Sequence, residues 1–153
     1  MDDFLSLYGD NQNSTQTSAD DFLSLYGDNS SGDTTPPILK NAEQIGQKND
    51  PSYRGYCQKF VDDALGLPYP RTGKESAISA WDTAPNKVES LNGVKKGDLI
   101  YFQDPTGKEP DGHVGIYEGG NQFYSARDDG IKSDTITNWD KTTGQVPLGY
   151  IPQ

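Results

Sequence analysis

Apolar residues between positions 56 and 65 fall at Tyr56, Cys57, Phe60, Val61, Ala64 and Leu65. Adjacent pairs that recur four residues apart line up on one side of a helix, so this stretch is expected to be an amphipathic helix with its apolar stripe on a core. Gly66 follows it and suits a left-handed C-cap. An earlier stripe of Ile38, Leu39, Ala42 and Ile45 follows Thr35-Pro36-Pro37, where proline fits the first turn, and is expected to stop near Gly46. Ala77, Ile78, Ala80 and Trp81 predict a third, short helix ended by Pro85, and Pro68-Tyr69-Pro70 forces a loop before it.

Beyond Pro85 the period changes. Gly97-Asp-Leu-Ile-Tyr-Phe102 reads as a strand entered through a turn, and Asp104-Pro-Thr-Gly107 as the turn that follows it. Gly112-His-Val-Gly-Ile-Tyr117, Gly119-Gly-Asn121 and Gln122-Phe-Tyr-Ser-Ala126 read as a β-hairpin with a glycine-rich turn. Residues 130–136 and 148–151 are candidates for further strands. Helices first and antiparallel strands second predict an α+β domain over residues 35–153, with helices packed on an antiparallel sheet.

Residues 1–34 have a different character. Asp2-Asp-Phe-Leu-Ser-Leu-Tyr-Gly-Asp-Asn11 recurs identically as Asp20-Asp-Phe-Leu-Ser-Leu-Tyr-Gly-Asp-Asn29, across a polar linker. Each copy is too short to hold a helix alone in water. Each nevertheless keeps an apolar set, Phe4, Leu5, Leu7 and Tyr8 in the first and Phe22, Leu23, Leu25 and Tyr26 in the second. A solubilising tail would avoid such a cluster, whereas a segment that folds into a partner's groove needs one. The expectation is a flexible tail whose duplicated motif docks on two equivalent grooves of an oligomeric partner.

Hydrophobic residues make up only 31% of the chain, in keeping with an unpacked tail. The net charge of −10, with no basic run, argues against nucleic acid as a partner. No apolar run approaches the length of a membrane span. The N-terminus, Met1-Asp-Asp-Phe-Leu-Ser-Leu-Tyr8, is acidic where a signal peptide is basic. A single cysteine excludes an internal disulfide and a cysteine-based zinc site, and a single histidine argues against an imidazole metal site, so no metal or cofactor is expected.

The sole cysteine and the sole histidine carry the candidate chemistry. Cys57 is expected in the first turn of its helix, where free backbone N–H groups and the helix dipole lower a thiol pKa. His113 is expected at the start of a strand. Imidazole is the base whose ordinary pKa suits proton exchange with a thiol. A helix-borne cysteine and a strand-borne histidine from distant parts of a chain are the partners that papain-like enzymes bring together.

The blocks Gly97-Asp-Leu-Ile-Tyr-Phe102, Gly112-His-Val-Gly-Ile-Tyr117 and Gln122-Phe-Tyr-Ser-Ala126, with Tyr56-Cys-Gln-Lys-Phe-Val61 upstream, resemble the core of the NlpC/P60 and CHAP cysteine hydrolases over about residues 36–151. The resemblance implies hydrolysis of amide bonds in bacterial cell-wall peptides, with Cys57 as nucleophile, His113 as general base, and backbone N–H groups at the helix start around the oxyanion. Gln58-Lys59-Phe60 after the cysteine is closer to the CHAP pattern than to the Ser-Gly-Phe common in NlpC/P60. The family's third polar residue, which orients the histidine, falls at Ser125. A carboxylate would hold an imidazolium better, so Asp128 is the favoured orienter and Ser125 the alternative. Tyr53 and Tyr56 are candidate contacts to substrate or oxyanion.

The function implied is a peptidoglycan endopeptidase. An N-acetylmuramoyl-L-alanine amidase of the same fold and an inactive structural plug are the alternatives. With no signal peptide in view, the expected route to the wall is carriage in a particle such as a phage tail or virion, after synthesis in the cytoplasm, with the repeats as the attachment.

Overall fold

The computed structural model describes residues 34–153. The duplicated segments, and the docking expected of Phe4, Leu5, Leu7, Tyr8, Phe22, Leu23, Leu25 and Tyr26, lie outside the described residues.

Helix α1 spans Pro37–Lys48, α2 Cys57–Leu65 and α3 Ala77–Thr83, with a 3₁₀ turn at Pro51–Tyr53. Prolines at 36 and 37 open α1, and Ser76 and Ser79 close a capping box on α3. Gly66 ends α2 at φ 74°, the left-handed position expected of it. Helix α1 does not stop at Gly46. It runs to Lys48, and Asn49 takes the left-handed cap. Gly46 sits inside the helix because a Cβ there would collide with the Tyr124 hydroxyl. The helix accepts a residue roughly 1 kcal/mol worse than alanine in exchange for that close approach.

Five antiparallel strands follow: β1 Leu99–Gln103, β2 His113–Gly119, β3 Gln122–Arg127, β4 Gly130–Thr135 and β5 Val146–Ile151. Their order in the sheet is β4-β3-β2-β1-β5. Strand β1 pairs with β2 through Phe102 opposite His113, and with β5 through Ile100 opposite Tyr150. Both faces of β1 are buried, as Leu99 and Tyr101 join one core and Ile100 and Phe102 the other. The first core holds the apolar stripes of α1, α2 and α3. The second holds Phe123, Tyr150, Ile136 and Trp139. The sheet therefore lies between three helices on one side and a smaller layer on the other.

That smaller layer contains a helix that no hydrophobic period in the sequence predicts. Helix α4, Ile136–Thr143, is capped by the Thr135 hydroxyl, which accepts from the Asn138 N–H, and ends at Gly144 with φ 75°. Only Ile136 and Trp139 of its residues are buried, so its apolar face is too thin to announce a helix. Close backbone approach recurs at Gly149 in β5, where a Cβ would strike the Val88 carbonyl. Val88 and Tyr150 exchange backbone hydrogen bonds there, at 2.8 and 3.0 Å.

Candidate active site

Cys57 is the first residue of α2, and its N-cap, Tyr56, offers no side-chain bond to the helix start. The sulfur receives backbone N–H groups from Val114 of β2, from Gln58 and from Cys57 itself. The expected dipole effect is therefore present, but it loses. Burial pushes the Cys57 thiol up to about 11 despite those N–H groups, and the Asp111 carboxylate adds slightly to the rise.

His113 opens β2 and is buried. Its Nε2 lies 2.9 Å from the Ser125 Oγ of β3. Burial pulls the imidazole down to about 3, with the Arg127 guanidinium contributing in the same direction. Burial thus disfavours the charged form of both groups. Both open onto one cavity of about 450 Å³, walled also by Gly112, Ala126 and Trp139.

Ser125, not Asp128, stands against the histidine. Ser125 is fully buried and two residues along β3 from Phe123, on the face that β3 turns toward the second core. Asp128 falls just past the end of β3 and is exposed at the cavity rim, with its Oδ1 near Gly55. Among the described residues it makes no hydrogen bond to His113. The glycine of the His-Val-Gly motif has a spatial reason as well. A Cβ on Gly115 would collide with the Phe123 ring and come within 3.1 Å of the Ser125 Cβ. Glycine there lets β3 bring its serine up to the imidazole.

Tyr53 is committed elsewhere. Its hydroxyl donates to Asp63 at 2.7 Å, and the Lys59 ammonium lies 4.0 Å from its ring centre. Tyr56 is exposed beside Cys57.

Two features of the site escaped the sequence. One is Trp139, which stacks on His113 with ring centres 4.4 Å apart and planes inclined by 25°. The other lies under α2. The fully buried Asp62 accepts hydrogen bonds from Arg71 at 2.7 and 3.2 Å and from Gln58 at 3.0 Å. Gln58, next to the nucleophile candidate, also accepts from Tyr101 at 3.4 Å. The signal for this cluster was the i, i+4 spacing of Gln58 and Asp62 on one flank of the helix.

A sole thiol at a helix start and a sole imidazole on an antiparallel sheet, facing one cavity, define the arrangement of papain-like cysteine hydrolases. The profile described as NlpC/P60 family matches residues 44–146, and the chain belongs to that family. The protein named "Probable endopeptidase p60" of Listeria monocytogenes is 34% identical over 89 residues, which is 57% of this chain and 16% of that protein. Its namesake in Listeria seeligeri is 30% identical over 93 residues, 60% of this chain and 15% of that protein. The chain thus spans about a sixth of the length of these relatives. The crystal structure of a Staphylococcus aureus protein, described as similar to a lipoprotein of the NLP/P60 family, shares the fold. Its TM-score is 0.53 at 22% identity, covering 86% of this chain and 48% of that one.

Proposed function

We propose that this chain is a cysteine endopeptidase acting on bacterial cell-wall peptides, with Cys57 as nucleophile, His113 as general base and Ser125 as the group that orients His113. The observation that carries this reading is the convergence of the only cysteine and the only histidine on one cavity. Membership of the NlpC/P60 family and the endopeptidase name of the Listeria relatives support the peptidase reading, and the cell-wall substrate is what the family resemblance implies.

Chemically, the Cys57 proton passes to the imidazole as the sulfur attacks the peptide carbonyl carbon. The carbonyl electron pair moves to its oxygen, beside the backbone N–H groups at the start of α2. Collapse expels the amine, which leaves with the proton held by His113, and a thioester remains on Cys57. Water, deprotonated by His113, then hydrolyses the thioester. Burial raises the thiol and lowers the imidazole, so the charged pair is a minor species and proton transfer is coupled to attack on the carbonyl.

Digestion of purified peptidoglycan, read by mass spectrometry of the released fragments, tests the reading. New amino termini within the stem peptide are the expected product. Fragments cut only between glycan and stem would make the chain an amidase, and no release would leave it a non-enzymatic member of the fold. Ser125→Ala is expected to lower turnover by about tenfold or more through loss of ring orientation, while Asp128→Ala stays within about twofold of wild type. The reverse order would return the orienting role to Asp128.

We also infer that the duplicated segments 2–11 and 20–29 dock the enzyme on an oligomeric carrier, such as a phage tail or virion protein, that brings it to the wall. Support comes from the identical apolar sets in the two copies. The linker between them reaches at most roughly 30 Å, which bounds the spacing of the grooves. Deleting residues 1–30 is expected to leave hydrolysis intact and to abolish co-purification with particles. Retention at the normal ratio would end the idea.

A further inference from the structure

We propose that Trp139 is a positioning residue for His113, holding the imidazole by its face and favouring the imidazolium formed when Cys57 gives up its proton. This rests on the cysteine-hydrolase reading above.

Among the described residues three aromatic rings surround His113, and one of them meets it face to face. Phe102 and Phe123 are each 6.2 Å away, inclined at 49° and 71°. Trp139 is at 4.4 Å and 25°. The indole is itself fixed. Its Nε1–H donates to the buried Gln145 at 2.9 Å, and Phe123 packs against it edge-on at 5.7 Å. The face of an indole carries negative potential and attracts a cation more strongly than a phenyl ring does.

The electrostatic surroundings give that attraction a purpose. The group at the imidazole edge, Ser125, is neutral. The charged and titratable groups that share the cavity are Cys57, Glu109, Asp111, Arg127, Asp128 and Asp129. The four carboxylates are exposed. Arg127 opposes a second positive charge. Its guanidinium lies 5.5 Å from the Trp139 ring centre and is held by Asp134 at 2.9 Å and Asp129 at 3.3 Å. No carboxylate contacts His113 among the described residues, as one would in an Asp-oriented triad. The stacked indole is the contact that lowers the energy of the charged ring, and it does so without competing for the proton.

Iodoacetamide alkylation of Cys57 in the full-length chain, followed without substrate at pH 7, reads the thiolate fraction and so the stability of the thiolate–imidazolium pair. Trp139→Phe is expected to slow alkylation by roughly three- to tenfold. Gln145→Ala, which frees the indole without removing it, slows it in the same direction by less. In a His113→Gln background the Trp139→Phe effect disappears, because the imidazolium it acts on is gone. In peptidoglycan hydrolysis, kcat falls and KM holds.

A ring that merely walled the cavity would behave otherwise. Its trimming would open access and speed alkylation, equally in both backgrounds. Unchanged or faster alkylation in Trp139→Phe, equal slowing in the His113→Gln background, or a change confined to KM would each overturn the proposal. Alkylation requires no peptidoglycan, so a wild-type chain that cleaves none would count against the hydrolase reading and leave the Trp139–His113 coupling to be judged by its own rates.

Discussion

Cys57→Ala is expected to reduce peptidoglycan hydrolysis by at least about 10⁴-fold, since removal of a covalent nucleophile disables every step that depends on it. The protein should remain folded. The substitution removes one sulfur from a half-buried position at the edge of the first core, where its hydrogen-bond donors are the backbone N–H groups of Val114, Gln58 and its own residue. Hydrophobic packing of α2 rests on Phe60, Val61 and Ala64, none of which changes. The melting temperature should therefore shift by no more than a few degrees, which corresponds to under about 1 kcal/mol. Measuring both quantities on one preparation separates loss of chemistry from loss of fold. A variant that still digests the wall at more than a few per cent of the wild-type rate would remove Cys57 from the mechanism.

The second large effect lies beneath the nucleophile. Arg71→Met is expected to destabilise the domain by about 3 kcal/mol, because it strands the fully buried Asp62 carboxylate without its cation. Gln58 remains as a neutral donor and cannot balance the charge. Arg71 keeps 27% of its side chain exposed, so part of its attraction is screened and the cost falls at the lower end for a buried pair. The double variant Asp62→Leu/Arg71→Met should recover much of the loss, as both charges leave together. Urea unfolding of the two variants provides the test. An Arg71→Met midpoint equal to wild type would mean that water already reaches Asp62.

The helix carrying Cys57 was readable because its stripe of Phe60, Val61 and Ala64 obeys a simple period and Gly66 marks its end. The hairpin of His113 and Ser125 was readable for the same reason, with alternating residues around a glycine turn. Trp139 was not, because α4 buries only two side chains, and the importance of this one comes from its contact with His113, far from it in the chain. Asp128 drew attention by its charge. That it makes no hydrogen bond to the imidazole among the described residues follows from where β3 ends, a matter of one or two residues that no periodicity fixes. The thiol was misjudged for a related reason. A helix start is visible in sequence, whereas the burial that outweighs it is assembled by the packing of residues far along the chain. Arg71, the partner of Asp62, lies beyond Pro68-Tyr69-Pro70, and no period in the sequence places it against the carboxylate.

The strand order has a consequence for how the protein is made. β1 lies between β2 and β5, and β5 holds Val146–Ile151, the last described element. A ribosome releases α1, α2 and the cysteine first and the histidine strand well afterwards. β1 then waits with one hydrogen-bonding edge unpaired until β5 emerges. Long-range pairing of that kind is slow to form and leaves an apolar edge open meanwhile. The last residue that walls the cavity is Gln145, so the nascent chain carries its thiol through most of the domain's synthesis before every wall of the site exists.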